Sequence, residues 1–176
     1  METLNLKDYI ASIPDFPKKG IMFRDITPIL ACPQALDETA CRLADFAREV
    51  QADVIVAPEA RGFFFGIPAA MKAGLPFVPV RKPGKLPRRT ISQSYELEYG
   101  TDTLEMHEDG VKPGARVLIV DDLLATGGTM EAIDKMVRSL GAEPAGYGFV
   151  VELDDLHGRD RLQDAPVLTM IHYEGE

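Results

Sequence analysis

The run Arg116-Val117-Leu118-Ile119-Val120-Asp121-Asp122-Leu123-Leu124-Ala125-Thr126-Gly127-Gly128-Thr129-Met130 constrains this chain more than any other feature. Val117 to Val120 read as an apolar strand buried on both faces of a parallel sheet. The acids that follow then fall at the carboxyl-end rim, where open α/β sheets bind their ligands. Ala125 to Gly128 carry no bulk, so their backbone amides can close on an anion, and the helix that begins there adds the positive end of its dipole. Thr126 and Thr129 add hydroxyl donors. No Lys follows Gly128 and the glycines do not fall as GxGxxG, which excludes a Walker loop and a dinucleotide fingerprint. Ionised Asp121 and Asp122 only accept hydrogen bonds, which suits a vicinal diol with hydrogens to give. A phosphorylated sugar satisfies both halves of the junction, whereas an acid pair standing alone would read as a solvated rim.

Around this junction strands and helices alternate. Leu36, Ala40, Leu43, Ala47 and Val50 recur at helical spacing after Pro33 and lead to the buried strand Val54-Ile55-Val56-Ala57. A Gly/Ala-rich helix over about 62–73 and the strand Phe77-Val78-Pro79-Val80 follow. Met130, Ile133, Val137 and Leu140 form the apolar face of the next helix, Gly141 is placed to stop it, and further strands fall at 148–151 and 167–171. The pattern predicts an α/β fold with a mostly parallel, doubly wound sheet flanked by helices. Tyr95 to Tyr99 and Thr103 to Met106 alternate with period two about Gly100, predicting an antiparallel hairpin arm.

A chain of 176 residues fits one domain over 1–176. Its 45% apolar and 27% charged content is that of an ordinary globule. No apolar run approaches the ~18 residues a membrane span needs. Met1-Glu2-Thr3 lacks the basic start of a secretory signal, so a cytoplasmic protein is expected. Net charge of −9 argues against nucleic-acid binding. Cys32 and Cys41 have neither CxxC spacing nor a nearby His pair and read as buried free thiols. His107, His157 and His172 form no metal-ligand or triad spacing, and no resident metal site is expected.

Two further segments carry charge or aromatic chemistry. In Pro58-Glu59-Ala60-Arg61-Gly62 a strand end again turns into a helix start, and Arg61 is placed to pair bidentately with a phosphate group. Arg81-Lys82-Pro83-Gly84-Lys85-Leu86-Pro87-Arg88-Arg89 mixes cations with hinge formers and reads as a mobile loop. Alone it would be a solvated charge run. It follows a strand whose carboxyl end should point to the same rim as Asp121, which makes it a lid that neutralises departing phosphates. Pro14 to Ile26 is too rich in turn formers for a helix, yet holds Met22 and Phe23. Pattern alone favours a strand of a small core there over a platform that stacks on a flat heterocycle.

These segments resemble the type I phosphoribosyltransferases. The resemblance runs from about Pro14 to Ile171-His172-Tyr173-Glu174. Through Gly-Ile-Met-Phe-Arg-Asp-Ile, Glu-Ala-Arg-Gly-Phe, Arg-Lys-Pro-Gly-Lys-Leu-Pro and Tyr-Glu-Leu-Glu-Tyr-Gly it is nearest to the branch of that family that acts on adenine. It implies a hood over about 1–30, a flexible lid arm over about 81–108, and formation of AMP and pyrophosphate from adenine and phosphoribosyl pyrophosphate in purine salvage. By the same resemblance Asp121 and Asp122 hold the ribose hydroxyls, and Ala125, Thr126, Gly127, Gly128 and Thr129 hold the 5-phosphate. Arg61, Arg81, Lys82 and Lys85 serve the pyrophosphate. Phe23 stacks on adenine while the backbone around Met22 and Arg24 reads its edge. Glu98, with Tyr99 beside it and Lys85 in the lid, forms the catalytic set, Glu98 as proton partner of the base. Magnesium comes with the sugar diphosphate and needs no protein cage, in keeping with no carboxylate cluster beyond Asp121 and Asp122. The implied partners are small molecules, not nucleic acid or membrane, and the implied assembly is a cytoplasmic homodimer in which Arg81 can reach the neighbouring subunit's site.

Departures from the family pattern are few: extra charge at Arg88 and Arg89, and Met22 where a β-branched residue is frequent. The 6-oxopurine members place a lysine late in the chain, and none follows Lys135 here. A regulatory protein that keeps the fold without the reaction would commonly add a DNA-binding domain, of which there is no trace, and this chain keeps Glu98 and the lid.

Overall fold

The computed structural model describes residues 4–97, 99–162 and 164–175. After a 3-10 turn at Leu6–Tyr9 come β1 (Ala11–Ile13), β2 (Phe23–Asp25), α1 (Thr27–Ala31), α2 (Pro33–Glu49), β3 (Val54–Pro58), α3 (Arg61–Ala73) and β4 (Phe77–Val80). There follow β5 (Thr90–Glu96), β6 (Thr101–His107), β7 (Arg116–Leu124), α4 (Gly128–Ser139), β8 (Glu143–Leu153), 3-10 turns at Asp154–Leu156 and Gly158–Arg161, and β9 (Val167–Tyr173). The main sheet has the order β4-β3-β7-β8-β9, and every neighbouring pair in it is parallel. Two antiparallel ribbons, β1-β2 and β5-β6, fall in the segments expected to form the hood and the arm. No helix among the described residues is long and apolar enough to cross a membrane.

Strands covered on both faces must be apolar on both, and the alternation of β7 shows where each face goes. Leu118 and Val120 pack in a core with Leu43, Phe46 and Ala47 of α2 and Phe65 and Ala69 of α3. Val117 and Ile119 pack in a second core with Ile133, Met136 and Val137 of α4. The doubly wound expectation is met. Leu104 and Met106 of β6, both buried, belong to this second core. The arm is therefore not a free flap along its length: period-two alternation sets both side chains on one face, and they fill the area that α4 leaves uncovered.

Two local expectations change. The strand of the central motif does not stop at Val120 but continues through the acids to Leu124, because the long β8 supplies pairing partners as far as Leu124↔Glu152. On the other side β3 stops pairing at Val56↔Ile119. Cys32 and Cys41 are free thiols as expected, but half-buried rather than buried. Cys32, just before α2, packs against the core, and Cys41 on α2 has its Sγ 3.7 Å from Asp37 Oδ2.

This topology places the site. The chain winds from β3 through α3 outward to β4, and from β7 through α4 the opposite way to β8, so the strand order reverses between β3 and β7. A crevice opens at the carboxyl ends of such a pair, and here it is faced by the N-termini of both helices.

Candidate active site

The loop after β7 forms a small cradle of about 80 Å³ lined by Asp121, Ala125, Thr126, Gly127, Gly128 and Thr129 among others. Gly127, at φ 87°, turns the chain into α4 with a backbone conformation that L side chains rarely adopt. Behind the loop stands the turn that begins at Gly158, where a Cβ would lie 2.4 Å from the Ala125 carbonyl oxygen. The cradle's shape thus depends on a close approach from a segment distant in sequence.

Next to it a cavity of about 170 Å³ brings together Glu59, Arg61, Lys82, Tyr95, Asp121, Asp122 and Thr129. Asp122 is buried, with Oδ2 3.2 Å from Arg61 Nε. Asp121 Oδ1 accepts the Asp122 backbone N–H at 2.8 Å. Burial, and after it the charge of Asp122, push the Asp121 carboxyl well above the usual carboxylate range. The Arg61 guanidinium also lies 5.6 Å from the centroid of the Phe23 ring, joining the N-terminal ribbon to the crevice. Phe23 is in β2 and half-buried, edge-on to Phe16 at 5.1 Å, so it is a strand residue but not a core one. Met22 precedes it, half-buried. The Arg24 side chain lies over the Tyr173 ring at 3.8 Å and donates to Ser12 Oγ.

The remaining cations converge on a carboxylate that sequence reasoning passed over. Glu59 Oε1 lies 3.2 Å from Arg81 Nε and accepts the Lys82 backbone N–H at 2.7 Å, while Oε2 lies 3.2 Å from Lys85 Nζ. Burial works to raise the Glu59 carboxyl, but the Lys82 N–H, Lys85 and Arg81 outweigh it and hold it below its ordinary value. Glu59, the residue after β3, was given no role in the sequence, although it follows a buried strand just as Asp121 follows Val120. Lys82 Nζ is bound by Asp102 of the hairpin. Asp102 and Tyr95 were also missed, because only the cross-strand register brings them to the site.

Arg88, of open role in the sequence, reaches Asp109 with Nη1 at 2.6 Å and His107 Nδ1 with Nη2 at 3.2 Å, and so fastens the base of the arm. Tyr99 stands at the hairpin tip, 83% exposed. Glu98 lies outside the described residues. His172, given no partner by sequence spacing, meets Asp154 and Glu152 in space at 2.9 and 3.4 Å, with the Glu152 charge balanced by Arg159.

Residues 27–171 match the family described as the phosphoribosyl transferase domain. The adenine phosphoribosyltransferase of Thermoanaerobacter pseudethanolicus is 52% identical, with 96% of this chain and 98% of that one covered and a TM-score of 0.92. That of Rhodothermus marinus is 47% identical, with 96% of each chain covered and a TM-score of 0.89. That of Saccharomyces cerevisiae, solved with adenine and D-2,5-dideoxy-2,5-imino-altritol 1,6-bisphosphate, is 43% identical, covers 94% and 96%, and gives a TM-score of 0.86. With this fold, this crevice and these relatives, the chain belongs to the phosphoribosyltransferases and, among them, to the adenine phosphoribosyltransferases.

Proposed function

We propose that this protein transfers the phosphoribosyl group of phosphoribosyl pyrophosphate to N9 of adenine, forming AMP and pyrophosphate in purine salvage. The observation that carries this is the single crevice in which a small-residue cradle, two acids and Arg61 adjoin, with Phe23 held against the same Arg61. Incubation with magnesium, phosphoribosyl pyrophosphate and adenine should yield AMP; no nucleotide product would overturn the proposal.

In this reading the amides and hydroxyls from Ala125 to Thr129 hold the 5-phosphate, and Asp121 and Asp122 accept from the ribose hydroxyls. Arg61, Arg81, Lys82 and Lys85 meet the pyrophosphate. Phe23 stacks on adenine and backbone groups at Met22 and Arg24 read its edge. As the C1′–O bond to pyrophosphate breaks and the N9–C1′ bond forms, the sugar gains oxocarbenium character, so catalysis consists of alignment and of stabilising charge on the leaving group. The proton lost by the base passes to Glu98. The arm, with Tyr99 at its tip, keeps water from the activated sugar. The paired oxygens of Asp121 and Asp122 are the hard donors a magnesium ion prefers, and they face the crevice. When bound with the diphosphate, magnesium would supply positive charge on the leaving oxygens.

The whole chain acts as one unit, its first 30 or so residues a hood and 81–108 a lid arm. It works as a cytoplasmic homodimer, as the family resemblance implies. The exposed apolar stripe Phe64, Ile67 and Met71 on α3 supports this as a face for a second copy. Light scattering on the pure protein tests the dimer.

Lys85→Ala is expected to lower kcat on the order of 10²-fold while leaving the KM for adenine nearly unchanged, because the charge it meets grows only towards the transition state. Equal losses in both, in steady-state kinetics, would count against the assignment. Phe23→Ala is expected to weaken adenine by roughly 1–3 kcal/mol of stacking without altering base preference, as read by calorimetric titration.

A further inference from the structure

Tyr95 and Asp102 face each other across the β5-β6 ribbon, and although Tyr95 opens the Tyr-Glu-Leu-Glu-Tyr-Gly run, neither was given a role in the sequence. Asp102 Oδ2 binds Lys82 Nζ on one side and the Tyr95 hydroxyl at 3.3 Å on the other. The Tyr95 oxygen in turn receives the Thr129 hydroxyl at 3.4 Å. The Tyr95 ring covers the loop: its Cδ2 lies 3.6 Å from where a Cβ on Gly128 would stand. One continuous chain of donors and acceptors therefore runs from the first turn of α4, through the hairpin, to the segment after β4. Its directions are consistent throughout, since the single Tyr95 hydrogen goes to Asp102 and a lone pair accepts from Thr129.

We propose that Asp102 and Tyr95 are positioning residues that fix the Lys82 ammonium at the mouth of the crevice and tie it to the sugar-phosphate loop. This rests on the reading in which Lys82 meets the pyrophosphate and Thr129 the 5-phosphate. An ammonium on a four-carbon stem has no preferred position in water. Lys82 is 42% exposed, so without an anchor it would be spread over solvent. One of its three donors on Asp102 leaves two to aim into the cavity that Lys82, Tyr95 and Thr129 share. Asp102 does not line that cavity and acts from behind it. The Lys82 bond, outweighing the effect of burial, holds the Asp102 carboxyl below its ordinary value, so it remains an anion beside the ammonium. The ribbon itself does not depend on this pair. Its backbone register spans Thr90↔His107 to Glu96↔Thr101, and Ser94 and Thr103 join side chains at 2.8 Å one step away.

The test is steady-state kinetics of the full-length protein with Asp102→Ala, Asp102→Asn, Tyr95→Phe, Lys82→Ala and the Lys82→Ala/Asp102→Ala double variant. Thermal midpoints and inhibition by pyrophosphate are measured alongside. Asp102→Ala is expected to raise the KM for phosphoribosyl pyrophosphate about tenfold and to weaken pyrophosphate inhibition by a similar factor, the equivalent of about one decade in an equilibrium constant. The KM for adenine and the thermal midpoint should stay near wild type. Asp102→Asn, whose carbonyl still accepts, and Tyr95→Phe should fall between, and Asp102→Ala should add nothing in the Lys82→Ala background. The inference is overturned if Lys82→Ala impairs sugar-diphosphate binding but neither Asp102→Ala nor Tyr95→Phe does. It is equally overturned if Asp102→Ala costs the same factor with and without Lys82. A wild type that forms no AMP, or a Lys82→Ala variant with an unchanged KM, would instead overturn the underlying reading and this inference with it.

Discussion

Hypoxanthine offered in place of adenine is expected to react on the order of 10⁴-fold less well in kcat/KM, because a site built for hydrogen bonds rejects the wrong donor–acceptor pattern through unpaired buried groups. Adenine presents an exocyclic donor beside a ring acceptor, and hypoxanthine presents the reverse. The groups proposed to read that edge belong to the backbone, and β2 is held in place by its pairing with β1, Ile13↔Phe23 and Ser12↔Arg24. They cannot rotate to suit a second base as a side-chain amide can. Met22→Val should therefore leave the ratio nearly unchanged. The comparison needs only initial rates with each base. If the two were used equally, the assignment of Met22, Phe23 and Arg24 to the base would fail, while the sugar-phosphate assignment would stand on its own residues.

The double variant Asp121→Asn/Asp122→Asn is expected to lose at least about 1.5–3 kcal/mol of phosphoribosyl pyrophosphate affinity, the worth of one charged acceptor. The two contributions should be unequal. Asp121 is held well above the usual carboxylate range by burial and by its neighbour, so a neutral amide is a close substitute for it. Asp122 is ion-paired with Arg61 at 3.2 Å, and Asn there removes the charged acceptor proposed for the ribose hydroxyls. Most of the loss should follow Asp122→Asn alone. The fold should survive, since β7 pairs with β8 through the backbone at Asp121 and again at Leu123 and Leu124. Unchanged affinity by calorimetry would sink the ribose assignment.

How far the sequence could be read depended on whether the information was local. The sheet and the cradle were legible because the strand, the acids, the small residues and the helix start of 116–130 are contiguous, each with its own spacing. The end of β7 was misjudged because it depends on the length of β8, a partner whose pairing no single strand announces. Leu104 and Met106 showed the right alternation, but nothing local says which face of a hairpin meets a core. The meeting of Arg61 with both Phe23 and Asp122 joins three separate segments, and no spacing rule connects them. Glu59 was within reach, since an acid ending a buried strand was the very signal used for Asp121; the adjacent arginine drew the reading instead.

The cations of the crevice are already engaged before a ligand arrives: Arg81 and Lys85 by Glu59, Lys82 by Asp102, and Arg61 by Asp122. The chain as a whole carries −9. A polyanionic substrate approaching from beyond a Debye length, about 8 Å at physiological salt, therefore meets no unbalanced positive field to draw it in. Its capture is an exchange of anions at close range, in which the incoming phosphates take over Arg61, Arg81 and Lys85 from their carboxylates while Lys82 stays anchored on Asp102. Steering gives way to selection by shape, and the association rate should change little with ionic strength in stopped-flow measurements, unlike that of a site whose positive charges stand open to solvent.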